Sequence, residues 1–349
     1  MPLPTGKGPT IQDVAQRAGV STATVSRALS SPERVSAETL ERVIEAVQVT
    51  GYTINQAARS LRLRAARTIV IAFPNINNPF YSTVIDAVVA EATLRGYGIL
   101  VANRLRENPT RWLKDYFHSS RADGMVLFDG SLESQQLYDM KAPDGRIPLV
   151  VACDELPDAR LHSVMTDNRE AAARAVHYLI DLGHQRIGHI HSPSKNPNLI
   201  SDRLLGYYDA LHEAGLEQRP DWVMQGDFSM ASGEAAGNAF LELDERPTAV
   251  FAANDEMAIG FLSVLRRAGV ECPRDISVVG FDDITVARCF FPALTTVHQP
   301  RDEIGRLATK VLLDVIESDT PRQPPIHMVL RSELIVRDSA RSLTAAQRP

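Results

Sequence analysis

The chain has 349 residues, of which 44% are hydrophobic and 23% are charged, and it is too long for one typical globular domain. Its formal net charge of −6 excludes a uniformly basic nucleic-acid coat protein, but residues 1–67 contain nine Lys and Arg against five Asp and Glu, a net charge of +4. The remaining residues therefore carry −10, and a basic head on an acidic body is suited to contact phosphates with one end only.

The cysteine content and the apolar runs bear on the cellular compartment. Three cysteines, Cys153, Cys272 and Cys289, lie far apart, so the sequence predicts neither a disulfide framework nor a CxxC metal site. No apolar run approaches the ~20 residues of a membrane span, and the N-terminus lacks the apolar core of a signal peptide. We therefore expect a cytoplasmic protein without a membrane partner, and a flexible tail over residues 1–9.

The region from 10 to 54 has three short helical patterns and no strand between them. Apolar residues at helical spacing predict helices from Ile11 to Ala18, from Ser21 to Leu29, and from Ser36 to Gly51. Thr10 can cap the first helix, and Gly19-Val20 separates it from the second. This arrangement predicts a helix-turn-helix domain.

The second predicted helix carries the side chains of a DNA reader. Thr22 and Ala23 are small enough for close approach to base edges or a thymine methyl group, and Arg27 can reach a guanine or a phosphate. On spacing alone, a structural three-helix bundle remains the alternative.

From Thr68 the pattern changes to short apolar strands that alternate with amphipathic helices. The predicted strands are Ile69–Phe73, Ile99–Ala102, Met125–Phe128, Leu149–Ala152, Arg186–His191, Ala249–Ala252 and Ser277–Phe281. The predicted helices are Phe80–Arg95, Arg169–Leu182, Arg203–Ala214, Ala231–Leu243, Asp255–Ala268 and Glu303–Glu317. Such alternation is typical of doubly wound parallel sheets, which bind ligands beyond the carboxyl ends of their strands. Because about ten strands exceed one sheet of the usual size, we expect two lobes with a cleft between them.

Polar and aromatic residues near the expected cleft predict a pocket for a polyol or a nucleoside. Asn254 and Asp282 each follow an apolar strand, where an amide or a carboxylate can bond adjacent sugar hydroxyls. Arg203 offers a planar donor fork at a helix start, and Gln299 lies on a segment that crosses between the lobes. The aromatic candidates to sandwich a ligand ring are Phe80, Phe228 and Phe281. Weaker candidates are the loop aspartates Asp154 and Asp167.

A periplasmic sugar-binding protein would share the two-lobed body, but it should begin with a signal peptide and needs no DNA-reading head. An enzyme is the second alternative. His184, His189 and His191 cluster in the sequence, but no third ligand at convincing spacing follows, so we expect no metal site. Gly96-Tyr97-Gly98 lacks the rest of a dinucleotide fingerprint, and the sequence contains no Walker loop or nucleophile elbow. We therefore predict a protein that is not an enzyme and needs no cofactor.

Several motifs of the head resemble the DNA-binding domain of the LacI/GalR family of bacterial repressors. They are the run Val20–Leu29, the pairs Val35-Ser36 and Gly51-Tyr52, and the segment Asn55–Leu61. The resemblance implies that Leu61 is the leucine that family members wedge into a central minor-groove step, where an apolar side chain kinks DNA. It also implies a hinge over 55–67 and a DNA-contacting set made of Thr10, Ser21, Thr22, Ala23, Thr24, Ser26, Arg27, Asn55, Ala58 and Leu61.

The resemblance extends over nearly the whole body. The family's effector-domain motifs have counterparts in the same order at Asn78–Phe80, Asp167-Asn168, Leu182–Ile187, Arg203–Tyr207, Ala253–Asp255, Gly280–Asp283 and Leu294–Pro300. The fold it implies is an all-α helix-turn-helix head and an α/β body of two doubly wound parallel-sheet lobes, as in periplasmic binding proteins. The implied effector-binding and dimerisation domain spans 68–337, with an N-lobe of about 68–166 and 295–327, a C-lobe of about 167–294 and 328–337, and a polar tail over 338–349. The implied effector-binding set is Phe80, Asp154, Arg203, Phe228, Asn254, Phe281, Asp282 and Gln299.

The resemblance implies a nucleoid-associated transcription regulator, a repressor, that binds a pseudo-palindromic DNA operator as a homodimer. One helix-turn-helix reads only a half-site, and its symmetry requires a matched second one. Details such as Gly226–Phe228 resemble cytidine-responsive members, so the expected effector is a nucleoside or a sugar. The alternatives are a sugar-binding protein without a regulatory role and an enzyme that processes nucleosides or sugars.

Overall fold

The computed structural model describes residues 8–53, 65–103, 121–128, 148–153, 160–193, 201–320 and 324–343. They divide into two units, residues 1–66 and residues 67–349, which we call the head and the body. Among the described residues, no helix is long and apolar enough to cross a membrane.

Between residues 8 and 53 the head has three α-helices, as predicted, and their bounds are α1 Ile11–Ala18, α2 Thr22–Ser30 and α3 Ala37–Thr50. Each helix begins behind a polar capping residue, because an unpaired backbone N–H at a helix start needs an acceptor. The Ser21 hydroxyl accepts from the Thr24 N–H at 3.1 Å, and the Ser36 hydroxyl accepts from the Thr39 N–H at 3.3 Å. The core between the helices is small and aliphatic, formed by Val14, Ala15, Ala18, Val25, Ala28, Val43 and Ala46.

The described residues of the body form two six-stranded sheets. The first has the order β11-β5-β4-β3-β1-β2, with β1 Thr68–Phe73, β2 Gly98–Asn103, β3 Gly124–Leu127, β4 Leu149–Ala152, β5 His162–Thr166 and β11 His327–Leu330. All of its strand pairs are parallel. The second has the order β12-β10-β9-β8-β6-β7, with β6 Ile187–His191, β7 Val223–Gln225, β8 Ala249–Ala252, β9 Ser277–Asp282, β10 Thr295–His298 and β12 Glu333–Ile335. Only the β10–β12 pair of this sheet is antiparallel.

Helices cover both faces of the second sheet, and two helices pack together on one face of the first, as expected for parallel strands that alternate with helices. Their bounds are α4 Phe80–Leu94, α5 Asn168–Asp181, α6 Asp202–Glu213, α7 Met230–Leu241, α8 Asp255–Arg267 and α9 Arg301–Glu317. Side chains alternate between two cores along a strand: in β8, Phe251 joins the core with Tyr207 and Phe281, whereas Val250 joins the core with Phe261. A strand buried on both faces reads as a continuous apolar run, which is why these strands were recognisable.

The predicted boundaries of the lobes were wrong by several residues. β10 belongs to the second sheet, where Thr296 pairs with Gly280, and β11 belongs to the first, where Val329 pairs with Met165. The chain therefore crosses between the lobes at about 167, 299–300 and 331–332, not at 295 and 328. Strands β5, β7, β10, β11 and β12 were not predicted, because they are short and partly polar and tertiary pairing defines them.

The sequence predicted a polar tail over 338–349, but the chain packs on the body as far as Leu343, so the prediction was wrong for residues 338–343. The Ser339 hydroxyl donates to the Val278 carbonyl at 2.6 Å and accepts from the Thr295 N–H at 2.8 Å, and the residue is fully buried. The Leu343 N–H donates to the Leu182 carbonyl at 2.9 Å. The segment resembled a tail because it is polar, but its buried serine is needed to satisfy backbone groups of β9 and β10.

Candidate functional site

Helix α2 of the head presents its polar candidates to solvent. Val25 and Ala28 are buried against α1 and α3, so the opposite face of the helix is fixed outward. Ser21, Thr22, Ala23 and Arg27 are exposed, and Thr24 and Ser26 are half-buried. This face combines small polar side chains with one long cation, which suits a DNA major groove.

Thr10 has a local structural role at the start of α1. Its N–H and its hydroxyl both donate to the Asp13 carboxylate, at 2.7 and 2.8 Å, and these bonds lower the pKa of Asp13. At the other end of α1, the Arg42 guanidinium donates to the Ala18 carbonyl, and at 3.4 Å to the Gly19 carbonyl. The helix that supports the reading helix is therefore held at both ends. Four further candidates lie outside the described residues, so their predicted roles remain predictions: Asn55, Ala58, Leu61 and Asp154.

In the body, Arg203 contacts three separate segments beside the predicted cleft. Its Nε donates to the Asn168 Oδ1 at 3.0 Å, and its Nη1 donates to the Ala253 carbonyl at 2.5 Å. The same Nη1 lies 3.6 Å from the Asp282 Oδ1. A planar guanidinium held on three sides in this way presents a fixed set of donors.

Asp282 and Gln299 extend this arrangement toward the crossings between the lobes. The Gln299 amide donates to Asp282 Oδ1 at 2.7 Å, and its Oε1 accepts from the Thr166 hydroxyl at 2.9 Å. Both side chains are almost fully buried. Asp282 has a positive φ of 112°, which is unusual for a residue other than glycine. Sequence reasoning selected these residues one by one, and the structure connects them.

Burial raises the pKa of Asp282 to about 6, and the nearby Arg203 and the Gln299 hydrogen bond only partly oppose that rise. A buried carboxylate beside one arginine is charged and hydrogen-bonded, yet it is poorly hydrated. It can accept further hydrogen bonds from ligand hydroxyls that replace water.

Asp255, which sequence reasoning missed, holds the loop that carries Asp282. Its carboxyl group accepts from the Thr296 hydroxyl at 2.5 Å and from the Ile284 N–H at 2.8 Å. Burial, followed by the neighbouring Asp282, raises the pKa of Asp255 well above its usual value. A Cβ on Gly280 would lie 2.2 Å from the Asp255 Oδ1, so only glycine fits there. A glycine inside an apolar strand was the available signal for such a close approach.

Asn254 and Phe228 lie together on the second lobe. Asn254 caps α8, where its Oδ1 accepts from the Met257 N–H at 3.0 Å, and its Nδ2 donates to the Phe228 carbonyl at 3.0 Å. Phe228 has a positive φ of 67° and is 37% exposed, so its ring remains partly free. The amide of Asn254 thus sets the position of an exposed ring.

The predicted sandwich that included Phe281 does not form. Phe281 is fully buried in the core, and the Arg203 guanidinium lies over its ring at 3.8 Å from the centroid. The ring therefore supports Arg203 through a cation–π contact, because the cation occupies the face that a ligand would need. Phe228 lies 5.9 Å from the same guanidinium.

Phe80 lies on the first lobe as part of an aromatic cluster. It is buried and forms an edge contact with Tyr81 at 5.2 Å, and Tyr81 contacts Phe73 at 4.8 Å. Phe73 in turn stacks on Phe128 at 4.8 Å. Phe73 ends β1 and Phe128 follows β3, so the cluster lies at the ligand-binding edge of the sheet. Sequence reasoning missed three of its four members, although aromatic residues at strand ends were visible.

Asp167, a weaker candidate, fastens one of the crossings between the lobes. Its carboxylate accepts from the Ser332 N–H at 2.8 Å and from Arg174 at 2.7 Å, and Arg174 also donates to the Ser332 carbonyl at 2.9 Å. The crossings at 167 and 332 are thereby joined. Both carboxylate oxygens of Asp167 are thus hydrogen-bonded within the protein, which indicates a structural role.

Two of the three clustered histidines, His184 and His189, are packed into the second lobe. His184 lies 2.9 Å from the Thr248 hydroxyl and 3.0 Å from the Ser277 hydroxyl. His189 is stacked between Tyr207 and Phe251, and burial lowers its pKa to about 3. In the part of the chain that the structure describes, no three His, Cys, Asp or Glu side chains are grouped to hold a metal ion.

Comparison with known proteins follows the same division into head and body. A family model described as bacterial regulatory proteins, lacI family, matches residues 10–55, and one described as a periplasmic binding protein-like domain matches residues 176–340. The HTH-type transcriptional repressor CytR of Escherichia coli strain K12 is 38% identical over 341 residues, which cover 96% of this chain and 97% of CytR. The chain belongs to the LacI family. It is a DNA-binding transcription regulator whose DNA binding is controlled by a small molecule.

Solved structures of LacI-family members have the same architecture. The lac repressor dimer bound to operator and the anti-inducer ONPF has a TM-score of 0.82 and 27% identity, and the match covers 96% of this chain and all of that one. A LacI-family regulator from Enterococcus faecium with bound ribose has a TM-score of 0.71 and 26% identity, over 79% of this chain and all of that one. The LacI-family body thus retains its fold among members with different ligands.

Proposed function

We propose that this regulator binds a pseudo-palindromic operator as a two-fold homodimer and that a ribose-bearing nucleoside releases it from DNA. The observation that carries the proposal is the connected series Arg203, Asp282, Gln299 and Thr166. It begins in the cleft and ends at a crossing between the lobes. A ligand that contacts its first members therefore also acts on the relative position of the lobes.

The chemistry of the cleft favours a ribose. Adjacent ribose hydroxyls can donate to the Asp282 carboxylate and accept from Arg203, and these are charge-assisted hydrogen bonds. Arg203 has three protein partners and still offers donors, since a guanidinium carries five N–H groups. The likeness to a ribose-bound family member supports the same class of ligand.

The aromatic residues favour a nucleoside over a free sugar. Phe228 is partly exposed on one lobe, and Tyr81 is half-buried on the other, where it packs on the buried rings of Phe73 and Phe128. A flat base can stack against exposed aromatic surface of this kind, which a free pentose cannot do. The resemblance of Gly226–Phe228 to cytidine-responsive family members supports this choice, and other sugars are the alternative.

Release follows from closure of the lobes. A ligand bonded to Arg203 and Asp282 on one wall and to the aromatic cluster on the other favours the closed arrangement. We propose that closure separates the two Asn55–Leu61 segments of the dimer. Each segment then loses the helix expected on the operator, because a segment this short does not sustain a helix alone. DNA and effector then favour different states, and their coupling is reciprocal and typically about 1–3 kcal/mol.

A ligand screen tests the proposal. Nucleosides, purine bases, pentoses and hexoses are added to the full-length protein, and its melting temperature is measured, because a ligand that binds only the folded state raises that temperature. Each hit is then titrated against the protein bound to a fluorescent palindromic duplex selected from random sequence. We expect a nucleoside to bind and to lower DNA affinity. A hit that tightens DNA binding identifies a corepressor instead, and hits confined to hexoses exclude the nucleoside.

We further propose that the protein is not an enzyme and acts in the cytoplasm at the nucleoid. The ligand identified by the screen should be recovered unchanged by chromatography after prolonged incubation with the pure protein. A new product peak that depends on the protein would contradict this.

Effector affinity should depend on pH through Asp282. Burial raises its pKa to about 6, whereas in the unfolded chain it is near 3.8. The folded protein therefore holds a proton between these values, and the contribution of Asp282 to the free energy of unfolding decreases as pH rises from about 4 to 6. Ligand hydroxyls require the ionised form, so effector affinity should fall up to about tenfold per pH unit below 6.

Calorimetric titrations between pH 5 and 8 measure this dependence. Asp282→Asn should bind the effector weakly at every pH, with a flat profile over the acidic range. A wild-type affinity that stays constant from pH 7.5 to pH 5 would show that the effector does not need the Asp282 carboxylate.

A further inference from the structure

The point where the chain enters the body is held by a compact group of side chains. Arg67 is the last residue of the predicted hinge and directly precedes β1. Its φ of 49° lies in the left-handed region, which residues other than glycine rarely adopt, so its surroundings must hold it there. Its carbonyl accepts from the Gly98 N–H at 2.8 Å, and its guanidinium lies 4.9 Å from the centroid of the Tyr97 ring.

Two carboxylates at the end of α9 complete this group. Arg67 donates to Glu317 at 3.2 Å, and Arg95 donates to the other oxygen of Glu317 and, at 2.6 Å, to Asp314. Glu317 thus receives one arginine from the entry of the body and one from the turn after α4. We call Arg67, Arg95, Tyr97, Asp314 and Glu317 the entry clamp.

Helix α9 connects the entry clamp with the effector cleft. It has 17 residues and is about 25 Å long, and its first residue, Arg301, donates to the Asp283 carbonyl at 2.8 Å. Arg301 follows the crossing at Gln299, which bonds to Asp282. The helix is packed closely on α4, since a Cβ on Gly305 would lie 2.6 Å from the Val84 carbonyl oxygen. Close packing of this kind transmits strain, so a displacement at one end of the helix is carried to the other.

We infer that Glu317 is a positioning residue for DNA binding: through the entry clamp it fixes where each hinge leaves the body, and α9 carries the lobe movement to that point. The inference rests on the proposed function, because only a dimer on a two-part operator needs two hinges at a fixed separation. In this proposal Arg67 and Glu317 act through the position of the hinge and not through their own contacts with DNA or effector. They set the separation of the two hinges, and with it the spacing of half-sites that the dimer binds best.

Glu317→Gln in the full-length protein tests the inference, with Asp319→Asn as the matched control. Asp319 is exposed and lies two residues beyond Glu317, so its replacement removes the same charge outside the clamp. Removing a negative charge alone should slightly raise affinity for DNA in both variants. Binding of the ligand-free protein is measured on the selected palindromic duplex and on duplexes with the half-sites moved apart or together by one base pair.

We expect Glu317→Gln to lose about five- to twentyfold in affinity for the selected duplex and to discriminate less between the three spacings. Its effector affinity should stay within twofold of wild type, and Asp319→Asn should show only the slight rise in DNA affinity, with the wild-type spacing preference. Unchanged affinity and spacing preference in Glu317→Gln would overturn the inference. Equal losses of operator affinity, effector affinity and melting temperature would also overturn it, because they indicate a purely structural role. Failure of the wild-type chain to prefer any two-part duplex would instead refute the proposed function.

Discussion

Arg203→Ala is expected to reduce effector affinity at least about a hundredfold and to leave operator binding in place. Arg203 supplies charge-assisted hydrogen bonds to the ligand in our proposal, and each such bond contributes about 1.5–3 kcal/mol. The substitution also removes the cation that lies 3.6 Å from Asp282 and covers the ring of Phe281. The head contains none of these residues, so DNA binding should persist without responding to the effector.

Loss of Arg203 also leaves the buried Asp282 carboxylate without its nearby cation, which lowers stability. The double variant Arg203→Ala, Asp282→Asn removes both charges and should recover much of the melting temperature while remaining unable to bind effector. Arg169→Ala is the matched control, because Arg169 pairs with Asp209 at 2.6 Å on the exposed side of α5. Calorimetry with the effector and DNA anisotropy are measured for all three. A wild-type effector response in Arg203→Ala would show that the pocket lies elsewhere.

Arg27→Ala is expected to reduce operator affinity by about 1–3 kcal/mol per half-site if Arg27 contacts a base, and two half-sites act on one dimer. The exposed side chain makes no contribution to the core of the head, so the melting temperature should be unchanged. The loss should be confined to the selected operator, because a base contact distinguishes sequences and a phosphate contact does not.

Arg34→Ala controls for the loss of one positive charge. Arg34 is also exposed, with 76% of its side chain accessible, and it lies beyond the end of α2. Affinities for the selected operator and for an unrelated duplex are measured over a range of salt concentrations. If Arg27→Ala weakens both duplexes equally and reduces the salt dependence by about one unit, Arg27 contacts a phosphate and not a base.

The fold class and most elements were predictable, and the precision varied with the kind of signal. Predicted helix α1 and strands β4 and β8 have the bounds that the structure shows. Helix caps and apolar runs are local features, so they are readable without knowledge of the partners. The crossing points and the edge strands depend on pairing between distant segments, as β11 does with β5, and there the prediction failed.

The sequence by itself determined that this protein has a DNA-reading head and a two-lobed body, because helix periodicity, caps, strand alternation and family motifs are all carried by neighbouring residues. Only the tertiary structure decided which candidates act together. It showed that Phe281 supports Arg203, that Asp255 requires Gly280, that Ser339 is part of the core, and that Arg67 is held by Glu317. Each of these contacts joins residues far apart in the chain, and burial then sets their charge and hydrogen bonding. No local pattern records which distant side chain will share a buried site.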